Sequence, residues 1–279
     1  ENLKSWIDQG NNRQDAAVLY RSNAQSRVIE SALLQFDIPY RVYGGQRFFE
    51  RLEIKNALAY MRLILNCHDD VAFERVVNTP PRGIGERTVD TVREHARSIS
   101  ISMWSAAKAM IVDKNLNTRS ANALAAFLNL INEMTNTLEA LPLSELAENS
   151  IEMSGLIEMH RREKGERGQS RVENLEELVG ACKNFSPEST DVPVLGQFLD
   201  QVSLEAGERQ ANEDQDAVQL MTLHSAKGLE FPLVIMAGME ENLFPHKMSQ
   251  NEPGRLEEER RLAYVGITRA MQKLYFTCA

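Results

Sequence analysis

Three cysteines, Cys67, Cys182 and Cys278, stand far apart in 279 residues. They are too few for a disulfide framework, and with no CxxC pair they offer no cysteine-ligated zinc site, a usage that fits a reducing cytosol. Long apolar runs are also missing: the longest clean one, Phe231 to Met239, suits a buried strand and falls short of the ~18 residues that cross a bilayer. The opening Glu1 to Trp6 has neither an initiator Met nor the apolar core of a signal peptide, so the chain reads as a piece of a longer one. No G-x-x-x-x-G-K-[ST] loop occurs, because Lys164-Gly165 and Lys227-Gly228 stand in the wrong order and context. The chain is therefore not equipped to cradle a nucleoside triphosphate alone. Positive charge is short as well, 31 Lys and Arg against 40 Asp and Glu, a net −9. A dedicated DNA-binding domain usually reads basic. Net charge does not fix distribution, however, and much of the acid is gathered in Glu205 to Asp216 and Glu257 to Glu259, which leaves other faces neutral or basic.

What is present is ordinary globular composition, 43% hydrophobic and 25% charged, at a length of about two domains. The run Ala16 to Arg21 suits a buried parallel strand. Ala24 to Phe36 follows with helical spacing at Val28, Ala32, Leu33 and Phe36, and Tyr40 to Tyr43 reads as a second strand stopped by Gly44-Gly45. That is one βαβ unit. Strand signals then vanish until about Gln215. Helical patterns cover Ile54 to Leu65, Val71 to Val77, Val89 to Arg97, Ala121 to Leu141, Leu143 to Met153, Val172 to Cys182 and Leu195 to Ala206. Asp69-Asp70 caps the second of these and adds surface charge, with no case for a metal; Pro80-Pro81 stops it. Glu205 to Asp216 reads as an acidic linker. Strands return at Val218 to Leu223, Leu233 to Ala237 and Lys273 to Cys278, around a helix over Gly254 to Ala270 with Leu262 and Val265 inward. Neither flank holds enough strands to stand alone, so the two are expected to join in one parallel sheet with the helical block inserted at Gly44-Gly45.

Two segments of the second flank could carry chemistry. Thr222-Leu-His-Ser-Ala-Lys-Gly-Leu-Glu-Phe231 follows directly on a strand, which puts Thr222, His224, Ser225, Lys227 and Glu230 beyond the carboxyl end of the sheet, where α/β folds bind ligands. A solvated connection is the plain alternative, and a lone His is more often structural; the density of polar groups raises the functional reading. In Glu257-Glu-Glu-Arg-Arg261, acids and arginines on one helix can form an exposed face of ion pairs worth a few tenths of a kcal/mol each. Arg269, at the far end of that helix after Thr268 and bordered by apolar residues, fits such a face poorly.

Together these segments resemble motifs V and VI of superfamily 1 DNA helicases of the UvrD/Rep/PcrA type, and Val18-Leu-Tyr-Arg-Ser-Asn-Ala-Gln-Ser-Arg27 resembles their motif IVa. The match extends through the helical block. The resemblance implies a RecA-like, P-loop-NTPase-like α/β domain (2A) made discontinuously from residues 1–43 and 215–279. Its inserted all-α domain (2B) would span 44–214. It implies the C-terminal part of an ATP-dependent 3′→5′ helicase that couples hydrolysis to single-strand translocation and duplex unwinding in DNA repair and replication. The Walker A and B motifs of the first RecA-like domain, the upstream motif IV and the tail after motif VI are missing. Tyr20-Arg21 matches motif IV in letters but belongs to motif IVa. Carried over residue by residue, Arg269 is the arginine finger and an ATP contact, and Glu230 accepts from the ribose hydroxyls. Asn23, His224 and Lys227 line the single-stranded DNA track, with Arg21 and Thr222 as weaker candidates there. ATP and Mg²⁺ belong to the whole enzyme; the fragment alone is expected to bind neither and to be inactive. Expected partners are single-stranded and duplex-junction DNA, the first RecA-like domain of the same chain and repair proteins, in a bacterial, nucleoid-associated cytoplasmic setting with no membrane.

Thr79-Pro-Pro-Arg-Gly-Ile-Gly-Glu-Arg-Thr88 joins two helices of the block. Gly83 and Gly85 permit a tight hairpin around Ile84, whose amides and following helix N-terminus suit a phosphate, with Arg82, Arg87 and Thr88 in support. A plain Gly-rich turn is the default for such a triplet; the flanking arginines and the family's use of this hairpin on duplex DNA tilt the balance. Pro81 stiffens it. Met159 to Arg171, with five basic residues against two acids, reads as a flexible loop that touches phosphate or is merely solvated. Two other classes stand beside the helicase reading: a non-catalytic DNA-binding or partner-docking module that kept the fold, and a helicase–nuclease fusion, for which no nuclease carboxylate cluster is visible. Arg269 and Glu230 weigh against the first, since neither is needed without ATP.

Overall fold

The structure is a computed structural model that describes residues 1–138, 140–207, 211, 215–246, 249 and 254–278. In chain order its helices and strands are α1 (Asn2–Asp8), β1 (Ala16–Tyr20), α2 (Ser26–Gln35), β2 (Tyr40–Val42), α3 (Leu52–Leu65), α4 (Asp70–Val76), α5 (Glu86–Ser98), α6 (Met103–Val112), α7 (Thr118–Thr135) and α8 (Leu143–Ser154). There follow α9 (Leu156–Arg161), α10 (Glu166–Asn184), α11 (Val194–Gly207), β3 (Val218–Thr222), β4 (Phe231–Met236), α12 (Arg255–Ile267) and β5 (Ala270–Phe276). The chain divides into two compact units, one made of residues 1–50 and 205–279, the other of residues 51–204.

In the first unit the two flanks share one parallel sheet of order β2-β3-β1-β4-β5. Its central strand β1 is buried at all five residues, and the pleat assigns them to two cores. Ala16, Val18 and Tyr20 pack with Leu33, Tyr40, Val218, Leu220 and Leu233 on one face. Ala17 and Leu19 pack with Met221, Val234, Met236, Phe244 and Leu262 on the other. This two-sided burial is the physical reason the strands read as continuous apolar runs, and the sheet is consistent with a RecA-like α/β fold. The stripe expected on α2 differs: Val28 and Phe36 are exposed, while Ser26, Glu30 and Leu33 turn inward.

The break between units falls at Glu50 and Arg51, beyond the expected Gly44-Gly45. Residues 44–50 stay with the sheet because the Glu30 carboxylate accepts from the Phe48 amide at 3.1 and 3.2 Å and from the Tyr40 hydroxyl at 3.3 Å. The Arg47 guanidinium donates to the Glu205 carbonyl, so the return to the first unit comes at Glu205, ahead of Gln215. Of the expected linker Glu205 to Asp216, Glu205, Ala206 and Gly207 close α11, and residues 208–210 and 212–214 lie outside the described residues.

In the second unit the described regular elements are helices, around a core that includes Ile54, Tyr60, Phe73, Trp104, Phe127, Ile131, Leu146 and Leu175. Asp69 caps α4 through the Ala72 amide at 2.9 Å. Met159 to Arg171 is less of a loop than expected. Helix α9 runs to Arg161 and α10 begins at Glu166; His160 is buried and bonds Glu163 at 2.7 Å, and Arg171 pairs with Glu163 at 2.6 Å. Among the described residues no helix is long and apolar enough to cross a membrane, and no group of three or more His, Cys, Asp and Glu is placed to hold a metal ion.

Candidate nucleotide and nucleic-acid sites

Parallel strands put every strand end of one polarity on one rim. Tyr20, Thr222 and Met236 close β1, β3 and β4 at the carboxyl rim. Phe231 and Ala270 open β4 and β5 at the opposite rim, where they pair in register. The segment from Leu223 to Glu230 must therefore cross from one rim to the other, and it does so as a run of tight turns. This corrects the expectation that all its polar residues gather beyond the carboxyl end. Thr222, His224 and Ser225 begin at that rim, whereas Glu230 ends at the amino rim, about 17–20 Å away by the rise of a five- or six-residue strand.

Arg269 is at the amino rim with Glu230. Its carbonyl accepts from the Phe231 amide at 2.9 Å, which locks the end of α12 to the start of β4. The half-buried guanidinium donates through Nε to the Val265 carbonyl at 3.0 Å, through one Nη to the Leu229 carbonyl at 2.9 Å and through the other to the Thr268 hydroxyl at 3.0 Å. All three partners are neutral, so the side chain is fixed in direction while no carboxylate among the described residues pairs with it. Glu230 is exposed, one residue from the carbonyl that holds Arg269. A positioned, uncompensated cation beside an exposed carboxylate is an arrangement suited to a phosphate chain and a sugar diol.

The carboxyl rim carries the other set. Ser22 and Gln25 form a capping box: the Ser22 hydroxyl accepts from the Ala24 amide at 3.3 Å, and Gln25 Oε1 accepts from the Arg21 and Ser22 amides, both at 2.9 Å. This fixes the turn that holds half-buried Asn23. Thr222 is half-buried and its hydroxyl bonds Ser225 at 2.9 Å, while His224 and Lys227 are exposed. Arg21 departs from the expectation. Its guanidinium grips Glu259 at 2.8 to 3.0 Å through Nε and Nη2, so it is engaged within the unit rather than offered outward.

Glu259 was not legible as a site residue; it read as part of an acidic surface run. Its neighbours do behave that way, since Glu257 pairs with exposed Arg260 at 2.6 Å. Glu259, 4% exposed, also accepts from the His246 amide at 3.2 Å and the Ser249 hydroxyl at 3.1 Å. Burial pushes its carboxyl up, but Arg21 and these donors outweigh that and hold it below the ordinary glutamate range. The signal was available in the spacing: Glu259, Leu262 and Gly266 share one helix face, and all three are buried.

In the helical unit, Gly83 has φ +80° with open space around it, and Gly85 caps α5. Asn78, which sequence reasoning passed over, holds the hairpin by accepting from the Arg82 amide at 2.7 Å and the Ile84 amide at 3.2 Å. The hairpin residues divide into two groups. Gly83, Gly85 and Arg87 are exposed. Ile84 is buried, and Arg82 turns inward to the Pro80 carbonyl at 2.9 Å and the Ser154 carbonyl at 2.7 Å, over the Tyr60 and Phe127 rings. Burial pushes the Tyr60 phenol up to about 12, against the pull of Arg82. Thr88 is half-buried and meets the Ser120 hydroxyl at 3.2 Å. Arg82 and Ile84 thus support the hairpin from beneath, contrary to the expectation of direct contact, and its outward chemistry lies with the glycine amides and Arg87.

Over residues 1–279 the chain matches the UvrD-like helicase C-terminal domain. It is 57% identical to DNA helicase II of Escherichia coli strain K12 over 279 residues, 99% of this chain and 39% of that relative. It is 54% identical to DNA helicase II of Haemophilus influenzae over 279 residues, 99% of this chain and 38% of that relative. The ATP-dependent DNA helicase PcrA of Bacillus subtilis strain 168 is 43% identical over 271 residues, 95% of this chain and 36% of that relative. The chain thus spans under two fifths of the length of these curated relatives. With motifs, sheet and profile in agreement, the chain belongs to the UvrD-like helicase C-terminal domain family.

Proposed function

We propose that this chain is the C-terminal part of an ATP-dependent DNA helicase that moves 3′→5′ on single strands and unwinds duplexes in repair and replication, in a bacterial cytoplasm close to the nucleoid. The sheet unit acts as the second RecA-like domain and the helical unit as its inserted domain. The observation that carries the reading is the division of one sheet into two chemically different rims. At the amino rim, Arg269 stabilises charge developing on the γ-phosphate held by the first RecA-like domain, and Glu230 accepts from the ribose hydroxyls. Trans-supplied arginines of this kind are worth ~10³–10⁵ in rate. Mg²⁺ travels with the nucleotide and screens its phosphates; no residue of this chain is assigned to it.

At the carboxyl rim, Asn23, Thr222, His224 and Lys227 contact the backbone of a single strand without reading its bases, as translocation requires. The hairpin presents the Gly83 and Gly85 amides, Arg87 and the start of α5 to duplex phosphates near the junction. ATP turnover needs groups that grip the β- and γ-phosphates, so the 279-residue chain alone is expected to be silent. The test compares the full-length protein with this chain in an ATPase assay with and without oligothymidylate, and in strand displacement on 3′- and 5′-tailed duplexes. Strand-stimulated hydrolysis and unwinding from 3′ tails by the full-length protein are expected. Turnover by the isolated chain, or equal unwinding from 5′ tails, refutes the reading.

A further inference from the structure

The Arg21–Glu259 pair stands at the carboxyl rim, and neither set of contacts proposed above uses it. Glu259 sits in the first turns of α12, beside the carboxyl rim, and Arg269 follows at the opposite end of that helix, ~15 Å along the axis at 1.5 Å per residue. Arg21 immediately precedes the Ser22–Gln25 capping box that fixes Asn23. The remaining acceptor capacity of Glu259 is taken by the segment after β4, through the His246 amide and the Ser249 hydroxyl. Farther along the same face of α12, Gly266 lies against Leu223 and Met236 so closely that a Cβ there would stand 2.5 Å from Leu223 Cδ2 and 2.8 Å from Met236 Cε. The helix is therefore bonded to the rim at its start and packed closely against Leu223 and Met236 near its end.

We infer that Glu259 is a positioning residue whose carboxylate, gripped by Arg21, ties the strand-contacting turn around Asn23 to α12 and so conveys engagement of single-stranded DNA to the helix that presents Arg269. This rests on the helicase reading and names how its two rims communicate. An ion pair suits the task because a bidentate guanidinium–carboxylate fork fixes both distance and orientation, which a methylene contact does not. A packed helix then carries the displacement as a rigid element.

The experiment uses the full-length protein and reads the ratio of ATPase rate with saturating oligothymidylate to the rate without it. Glu259→Gln and Arg21→Gln are each expected to cut that ratio about tenfold, with oligothymidylate affinity and the KM for ATP both within threefold of the parent. The double variant is expected to lose no more than either single variant, because both remove one link. A purely structural pair would lower the melting temperature and leave the ratio intact in the folded fraction, which overturns the inference; so do losses that multiply in the double variant. Should the glutamine variants fail to fold, Glu259→Asp keeps the charge and shortens the reach by one methylene: a reduced ratio supports the link and a full ratio overturns it. A parent protein without strand-stimulated ATPase defeats the helicase reading before any variant is compared, and this inference with it.

Discussion

Replacing Arg269 by Ala separates chemistry from binding. The guanidinium makes three hydrogen bonds, to the Val265 and Leu229 carbonyls and the Thr268 hydroxyl. Each is worth about 1 kcal/mol net, so the variant should lose about 1–3 kcal/mol of stability and remain folded. The rate is a different matter. An arginine that meets the γ-phosphate only in the transition state contributes at least ~10³ in kcat, or about 4 kcal/mol. In the full-length protein we expect kcat to fall at least ~10³-fold with oligothymidylate saturating, and the affinity for a fluorescent ATP analogue to change less than about fivefold, since ground-state binding rests on groups elsewhere. Arg269→Lys keeps the charge but replaces a planar fork by a point donor, which cannot reach the three acceptors and the phosphate together, and should recover no more than about tenfold. A kcat loss under tenfold, or a loss of nucleotide affinity with normal turnover of what binds, would refute the finger role.

Four further outcomes follow from the geometry. Gly168→Ala should destabilise the helical unit by about 1–3 kcal/mol and lower its melting temperature by a few degrees, because a Cβ there would stand 2.5 Å from the His160 carbonyl and 2.6 Å from the Glu163 carbonyl, and backbone cannot step aside; an unchanged melt contradicts this. Gly83→Val should weaken binding to a tailed duplex more than to oligothymidylate, since φ +80° strains a β-branched residue; equal losses would refute the hairpin's role. Arg87→Ala should leave the melt unchanged and reduce the salt dependence of duplex binding by about one phosphate contact, whereas Arg82→Ala should lower the melt and leave that slope alone; the reverse pattern would return Arg82 to the surface. Glu259, Glu163 and Asp216 titrate below their ordinary values, so the stability they contribute is fully present above 4.5 and is lost as pH falls through their lowered folded values. The melting deficit of Glu259→Gln should accordingly shrink with acidification below 4.5, and a deficit constant with pH would count against an ionised pair.

The sequence disclosed what repeats or what punctuates. Buried strands showed because both faces of β1 are packed, so no polar alternation interrupts Ala16 to Tyr20. Most helices showed through their 3.6-residue period, yet α1, α6 and α9 did not. Among these α1 and α9 are short, 7 and 6 residues, and α6 is apolar on so many sides (Met103, Trp104, Ala106, Ala107, Met110 all buried) that no stripe stands out. The site was half legible. Arg269 and Glu230 announced themselves as charges among apolar or glycine neighbours, but their placement on one rim, opposite Thr222, depends on the polarity of β3 and β4. Charge letters misled wherever a long side chain turned inward. Arg21, Arg82, Arg171 and Glu259 look alike on paper to their solvated neighbours, and only tertiary partners decide that Arg82 faces the Ser154 carbonyl while Arg87 faces water.

The same inward charges show that the net charge of −9 does not fix the charge of any one face. Acids such as Glu30, Glu53, Glu163 and Glu259 are drawn into bonds with amides, hydroxyls and arginines, so their charge is met locally, although each arginine so used is also withdrawn from the surface. At the carboxyl rim the effect is local: Glu259 is neutralised by Arg21 in a buried fork, and the exposed side chains there include His224 and Lys227. At the amino rim the balance is reversed, for Arg269 is held by neutral acceptors and pairs with no carboxylate among the described residues. Removing Glu259 alone would leave the part-buried Arg21 guanidinium without its carboxylate, at a cost of about 1–3 kcal/mol. Placed between the turn around Asn23 and α12, such a pair would make a stiff link out of two residues that a charge count treats as cancelling.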